Sequence, residues 1–138
     1  MKLTIAFLSL ISSVGALPYT ATSNLIAVGL PKGDFTSTSG TATHLGAILD
    51  FGTYTVSDNK VTGEGTQIAA NGDELHYEFD EEVDFSMGSG VADFTFTGGT
   101  GRFEGATGSG KFYSKVTPID DDPPTLNIEV QYVGEIFY

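Results

Sequence analysis

Alternation of apolar and polar residues is the feature that most constrains what this chain can fold into. In ELHYEF, residues 74–79, every second side chain is large and apolar, and the same period of two recurs in DFTFT, residues 93–97, and in LNIEVQY, residues 126–132. A period of two is typical of β-strands with one buried face. The chain after residue 16 has no long segment with the i, i+3, i+4, i+7 spacing of an amphipathic helix, so the sequence predicts an all-β protein.

Turn signals separate the alternating segments. The sequences SDNK, NGD, SMGSG and DDDPP each combine residues that favour tight turns or rigid connections. Eight candidate strands lie between them, near residues 25–30, 43–56, 61–70, 74–85, 91–98, 101–105, 109–117 and 126–138. Short strands in meander order without helices indicate an antiparallel barrel or sandwich. The last strand ends on the apolar Ile136-Phe137-Tyr138, and closing a barrel with it would remove an exposed edge.

The first residues resemble a secretory signal peptide. Lys2 is followed by the uncharged apolar run Leu3–Ile11 and then by small residues that end at Ala16. The run is too short to span a bilayer, which needs about 20 apolar residues. We therefore predict cleavage after Ala16 and an extracellular location. Residues 17–37 are expected to form a lead and the first strand, and residues 38–138 the barrel domain.

Composition limits the classes of partner. The 138 residues include no cysteine and carry a net charge of −12, which becomes −13 when Lys2 is removed. A field of that sign repels nucleic acid and anionic lipid. Ten Phe and six Tyr in a chain that is 40% hydrophobic can form a core, so disorder is excluded. The absence of cysteine also excludes disulfides, cysteine nucleophiles and thiolate metal sites.

A glycine-rich stretch carries two alternative interpretations. GATGSGK, residues 105–111, fits the phosphate-binding pattern G-x-x-x-x-G-K in its letters. Phe112 stands where that pattern needs a magnesium-binding Ser or Thr, and the following segment is strand-like instead of opening a helix. We therefore expect no nucleotide here and interpret the glycines as sites of bends and close backbone approach.

Read from further upstream, the same stretch carries a family resemblance. FTGGTGRFEGATGSGKF, residues 96–112, resembles the GGTGRF-x-GA-x-G signature of the allene oxide cyclase and dirigent protein superfamily. GTATHLGAILDFGTYTV, residues 40–56, and the GDEL that begins at Gly72 add to the resemblance, which covers residues 38–138. It implies a closed antiparallel eight-stranded barrel of the calycin type, with an apolar cavity and assembly into homo-trimers or dimers. It also implies cofactor-free chemistry, in which a reactive ligand is held in one shape away from water.

Five residues are candidates for a ligand site inside such a barrel. The tyrosines Tyr54, Tyr77, Tyr113 and Tyr132 either line a cavity with their hydroxyls or belong to an ordinary core. Asp50 lies within the apolar run AILDF, and is either an outward-facing strand residue or a buried carboxyl with a raised pKa.

Other polar residues have alternatives of their own. His44 is either a general acid–base or a hydrogen-bonded histidine at a strand end, and the second is favoured. Arg102 either binds a ligand carboxylate or forms an ion pair, for example with Glu104, and the ion pair is favoured. The acidic runs 120–122 and 81–82 lack the spacing of a calcium loop and are expected to be solvated, so no metal site is predicted.

Two functions follow from these observations. The first is a secreted barrel that binds a small apolar ligand, or acts as an extracellular interaction protein, without a cofactor. The alternative is a cofactor-free cyclase or isomerase that templates a reactive ligand in the cavity. Since no catalytic constellation is recognisable in the sequence, binding is ranked first.

Overall fold

Eight antiparallel strands close into a barrel. The structure, a computed structural model, describes residues 15–138, so residues 1–14 of the predicted signal peptide lie outside the described residues. The strands are β1 Leu17–Val28, β2 Lys32–Ala42, β3 Gly46–Ser57, β4 Lys60–Ala69, β5 Glu74–Asp84, β6 Ser89–Gly99, β7 Thr107–Asp121 and β8 Pro124–Phe137. Each strand pairs with its neighbours in sequence, and β8 also pairs with β1. The predicted all-β, closed eight-stranded fold is confirmed.

The last strand closes the barrel as expected. Leu17 of β1 and Gly108 of β7 are the two register partners of Ile136, whose side chain is fully buried. Pairing on both sides satisfies the backbone groups of β8. The apolar chain end is therefore covered instead of forming a free sheet edge.

One predicted strand was wrong and one observed strand was not predicted, although the count was right. Residues 101–105 contain a 3₁₀ helix, Gly101–Phe103, which starts at a glycine with φ 59° and is therefore not extended. β2 was not predicted because Phe35 is its one large apolar residue. The other inward positions of this strand are occupied by Gly, Ser and Ala. The segment 17–37, assigned to a lead and first strand, forms β1 and the first half of β2 within the closed barrel. No helix in residues 15–138 is long and apolar enough to cross a membrane.

The barrel interior is filled at one end. The side chains of Tyr19, Leu75, Phe103 and Ile136 are fully buried there, and Phe96 packs edge-on against Tyr19 with ring centroids 4.9 Å apart. The 3₁₀ helix between β6 and β7 places Phe103 beneath this end as a plug. Space for a ligand therefore exists only towards the opposite end of the described barrel.

Candidate functional site

A cavity occupies the unfilled end of the barrel. Its volume is about 70 Å³, and its walls are mostly aliphatic and aromatic. Leu30 and Phe85 stand at its mouth, where their side chains are 49% and 51% exposed. At this end the cavity is therefore open to solvent. An apolar pocket with few polar groups is the usual form of a small-ligand site.

Aromatic rings form one continuous wall of the cavity. The rings of Phe35 and Phe79 have centroids 6.1 Å apart, and those of Phe79 and Phe112 are 5.4 Å apart. Phe112 in turn lies 5.3 Å from Tyr132, and Tyr132 lies 5.9 Å from Tyr77. Most of these contacts are edge-to-face, the arrangement that aromatic pairs favour, so the wall is rigid.

A buried carboxyl holds the base of this wall in place. Asp50 has no exposed surface and points inward because it shares the parity of Ile48 and Tyr54 on β3. The Tyr77 hydroxyl donates to its Oδ1 at 2.7 Å, and the Tyr132 hydroxyl donates to its Oδ2 at 2.7 Å.

Two serines complete the surroundings of Asp50. The hydroxyl of Ser23 donates to Asp50 Oδ2 at 2.8 Å, and the backbone N–H of Asp50 donates to Ser37 Oγ at 2.8 Å. Three hydroxyl groups from three different strands therefore converge on one carboxyl. Because neither Tyr77 nor Tyr132 has a second proton, their oxygens can only accept from a further group.

Burial controls the acidity of this cluster. Desolvation raises the pKa of Asp50, and the hydrogen bonds from Tyr77, Tyr132 and Ser23 offset that effect only in part. Burial, together with the nearby Asp50, also raises the pKa of both tyrosines well above the ordinary value. The tyrosines are therefore neutral hydroxyl groups over the whole physiological range. Behind them, Tyr19 donates to the buried Gln67 side chain.

A second carboxyl lies in the cavity wall itself. Glu81 is 7% exposed, lines the cavity and accepts a hydrogen bond from the hydroxyl of Ser114. Burial raises its pKa. A Cβ atom at Gly90 would come within 2.3 Å of its Oε2, so the carboxyl packs directly on the β6 backbone at a glycine.

Glu81 is the site residue that the sequence interpretation missed. The sequence analysis expects Glu81 and Glu82 to be solvated, but Glu81 is buried on the inward face of β5, which runs unbroken through both residues. The alternation already contained the signal, since Glu81 has the parity of the inward-facing Tyr77 and Phe79. Ser114 likewise shares the parity of Phe112 on β7.

The structure brings four of the seven predicted site residues together. Asp50, Tyr77 and Tyr132 form the hydrogen-bonded cluster, and Tyr54 lines the same cavity. The Tyr54 hydroxyl donates to the carbonyl oxygen of Gly29 at 2.5 Å, and burial raises its pKa.

The other three predicted residues lie elsewhere. Tyr113 faces outward and is 48% exposed. His44 sits in the β2–β3 turn with φ 70°, and its Nε2 lies 2.8 Å from the carbonyl oxygen of Pro18. Arg102 pairs through Nε with Asp73 at 2.8 Å instead of with Glu104, and it also donates to the carbonyl of His44 at 3.0 Å. His44 and Arg102 thus tie loops together at the filled end, away from the cavity.

The glycines of the glycine-rich stretch allow bends and close backbone approach, as expected. Gly101 has φ 59°, and a Cβ atom there would lie 2.0 Å from Asp73 Oδ1. At Gly110 a Cβ atom would lie 2.2 Å from the carbonyl oxygen of Val133. Lys111 points outward and pairs with Asp93 at 2.6 Å, with both side chains more than half exposed. Across residues 15–138, no three His, Asp or Glu side chains cluster as metal ligands.

This chain has the fold of a closed antiparallel barrel of eight strands. Its barrel has a cavity at one end and a plug at the other. Two solved structures with this fold are dirigent proteins. The pterocarpan synthase dirigent protein PsPTS1 is 15% identical, with 89% of this chain and 94% of that chain covered and a TM-score of 0.50. The pterocarpan synthase dirigent protein GePTS1 is 17% identical, with 89% and 84% covered and a TM-score of 0.48.

Sequence comparisons add nothing to this likeness. No known family matches the sequence, and no curated protein matches it. At identities this low the likeness establishes the fold, a dirigent-like barrel, and not an activity. The dirigent part of the predicted resemblance is supported, and the allene oxide cyclase part is not specifically supported.

Proposed function

We propose that this barrel binds a small, largely apolar ligand in its open-ended cavity, without a cofactor. The observation that carries the proposal is the contrast between the two ends: one is plugged by Phe103, and the other keeps a cavity with aromatic walls and an open mouth. The predicted signal peptide places this binding outside the cell. Assembly into trimers or dimers, which the family resemblance implies, belongs to the same proposal.

Burial of apolar ligand surface supplies the affinity. Each Å² of apolar surface removed from water contributes roughly 25 cal/mol, so a single-ring ligand gains several kcal/mol before the cost of immobilising it. The hydroxyls of Tyr77 and Tyr132, fixed by Asp50, then select its orientation. At about 70 Å³, the cavity holds a small apolar group such as the branched end of a single-ring ligand, and the rest of that ligand lies in the mouth.

Blocking the cavity tests this proposal. Val61 lines the cavity and Val91 faces outward at 47% exposure, so Val61→Phe and Val91→Phe are matched substitutions inside and outside the barrel. Titration calorimetry with tert-butylbenzene should show binding to the unmodified protein and to Val91→Phe, and a loss of at least about tenfold in Val61→Phe. Equal binding by both variants would place the ligand elsewhere and refute the proposal.

A second candidate function is a cofactor-free cyclase or isomerase, as the resemblance to allene oxide cyclases and dirigent proteins implies. The observation that favours it is Glu81, a carboxyl with a raised pKa in an otherwise apolar cavity. Such a group can transfer a proton to or from a bound ligand. If the protein is an enzyme, Glu81→Gln should retain ligand binding and lose turnover; unchanged turnover would remove Glu81 from the chemistry.

A further inference from the structure

The charge of the cavity has one sign. Among the described residues that line it, Glu81 is the one with a carboxyl group, and none carries a basic group. The Glu81 carboxyl has a single hydrogen-bond donor in the described chain, the hydroxyl of Ser114. A ligand that reaches this wall therefore meets one carboxyl in an apolar surface, without a compensating cation.

Aromatic faces flank that carboxyl. Phe79 precedes Glu81 by two residues on the inward face of β5, and Phe112 precedes Ser114 by two residues on the inward face of β7. The two rings are in edge-to-face contact, 5.4 Å between centroids. Aromatic faces attract organic ammonium groups, and the attraction grows when the site excludes water.

The loops around the mouth add negative charge. The three connections between β3 and β4, β5 and β6, and β7 and β8 lie at the cavity end. Asp58, Asp84 and the run 120–122 lie in these connections or at the strand ends beside them, and all are exposed. The lysines at this end face outward, and Lys60 among them is paired with Asp80 at 2.7 Å. With a net charge of −12, the whole chain attracts cations and repels anions as they approach the mouth.

We propose that the cavity selects an apolar organic cation, a tertiary or quaternary ammonium with an aromatic or branched body, whose charge lies against Glu81 and beside the contacting rings of Phe79 and Phe112. The proposal rests on the proposed function, since it names the class of ligand that the same cavity takes. A quaternary ammonium has no N–H group to leave unsatisfied, so an apolar wall costs it little hydrogen bonding. A carboxylate of the same shape would face Glu81 with no cation to neutralise it.

Two probes of equal shape separate charge from size, and a third, larger by a carboxylate group, tests the opposite charge. Phenyltrimethylammonium and tert-butylbenzene differ in one central atom and one charge, and 4-tert-butylbenzoate carries the opposite charge. Calorimetric titration at about pH 8, above the ordinary range of carboxyl pKa values, measures their affinities. We expect the cation to bind at least about tenfold more tightly than the neutral probe, and the anion more weakly than both.

Two glutamine variants assign the preference to one residue. Glu81→Gln keeps the shape of the side chain and its hydrogen bond with Ser114, and should reduce the preference for the cation to less than about threefold. The neighbouring Glu82 faces outward, so Glu82→Gln removes the same unit of charge outside the cavity and should keep the full preference. Thermal unfolding confirms that both variants are folded before they are titrated.

The outcomes are distinct for the two proposals. If tert-butylbenzene binds as tightly as the cation, or if Glu81→Gln keeps the preference, selection of cations is refuted while ligand binding stands. If none of the three probes binds, both proposals are refuted. Tighter binding of the benzoate would reverse the sign of the selection and overturn the inference directly.

Discussion

Replacement of Asp50 gives the sharpest test of how the base of the cavity is built. In Asp50→Leu, the hydroxyls of Ser23, Tyr77 and Tyr132 lose their common acceptor. The two tyrosine oxygens lie 3.2 Å apart, so one hydroxyl can donate to the other and two donors are left without a partner. An orphaned buried donor costs about 1–3 kcal/mol, so the free energy of unfolding should fall by roughly 2–6 kcal/mol.

Asp50→Asn is the matched control because it keeps the shape and one acceptor oxygen. That oxygen can occupy the place of Oδ2 and accept from Ser23 and Tyr132, while the amide donates to the oxygen of Tyr77. Tyr77 then donates to Tyr132, and every hydroxyl keeps a partner. At or below about pH 4, where the raised pKa of Asp50 does not yet cost the folded state stability, we expect Asp50→Asn to lie within about 1 kcal/mol of the unmodified protein.

Urea unfolding followed by far-ultraviolet circular dichroism measures both variants, since the chain has no tryptophan. Adding Tyr77→Phe and Tyr132→Phe to Asp50→Leu removes the orphaned tyrosine hydroxyl and leaves that of Ser23, so it should recover about half of the lost stability. The reasoning fails if Asp50→Leu is as stable as Asp50→Asn, or if the tyrosine substitutions add a further loss on top of that of Asp50→Leu.

The dependence on pH has a definite sign. Because burial raises the pKa of Asp50, the folded state favours the neutral carboxyl. The resulting stability is complete below the unfolded pKa near 3.8 and is lost as the pH rises through the raised folded value. The unmodified protein should therefore lose stability relative to Asp50→Asn as the pH rises above about 4. A difference that stays constant with pH would show that Asp50 does not titrate differently in the folded state.

Three further predictions concern other parts of the barrel. Burial also raises the pKa of Glu81, so the melting temperature of Glu81→Gln should increase relative to that of the unmodified protein as the pH rises above about 4.5. A difference in melting temperature that does not change with pH would contradict this. Gly90→Ala should destabilise the protein by about 1–3 kcal/mol in urea unfolding, since its Cβ would press on the Glu81 carboxyl, and an equal loss in a Glu81→Ala background would refute that cause. Arg102→Gln should lower the free energy of unfolding by no more than about 1 kcal/mol, because its ion pair with Asp73 is exposed. It should leave binding of tert-butylbenzene unchanged, and weakened binding would mean that the two ends of the barrel are coupled.

Alternation predicted the fold well because an antiparallel barrel places one face of each strand inside. It failed at β2, where small and hydroxyl-bearing residues occupy inward positions and only Phe35 marks the buried face. It also failed at Gly101–Phe103, where apolar Phe103 looks like a strand residue but is buried as a plug from a 3₁₀ turn. Local patterns do not show how a loop folds back over the end of a barrel.

The candidate site was predicted in part for similar reasons. Asp50 and three of the tyrosines share strand parity with apolar neighbours, so they could be proposed as inward-facing from the sequence. Glu81 was missed because a charged pair suggests solvent, although its parity pointed inward. The convergence of Ser23, Asp50 and Tyr132 needs the barrel to be closed, since Asp50 on β3 meets Ser23 on β1 and Tyr132 on β8 only across the interior.

Methyl resonances provide the most direct measurement of the central claim, that one end of the barrel binds a ligand and the other is packed shut. Leu25, Leu126 and Ile128 line the cavity, whereas Leu75 and Ile136 are buried at the filled end. In a titration with phenyltrimethylammonium or tert-butylbenzene followed by ¹H–¹³C NMR, the methyl signals of the first three should shift saturably while those of the last two stay in place. Absence of any saturable shift, or equal shifts at both ends, would contradict the account.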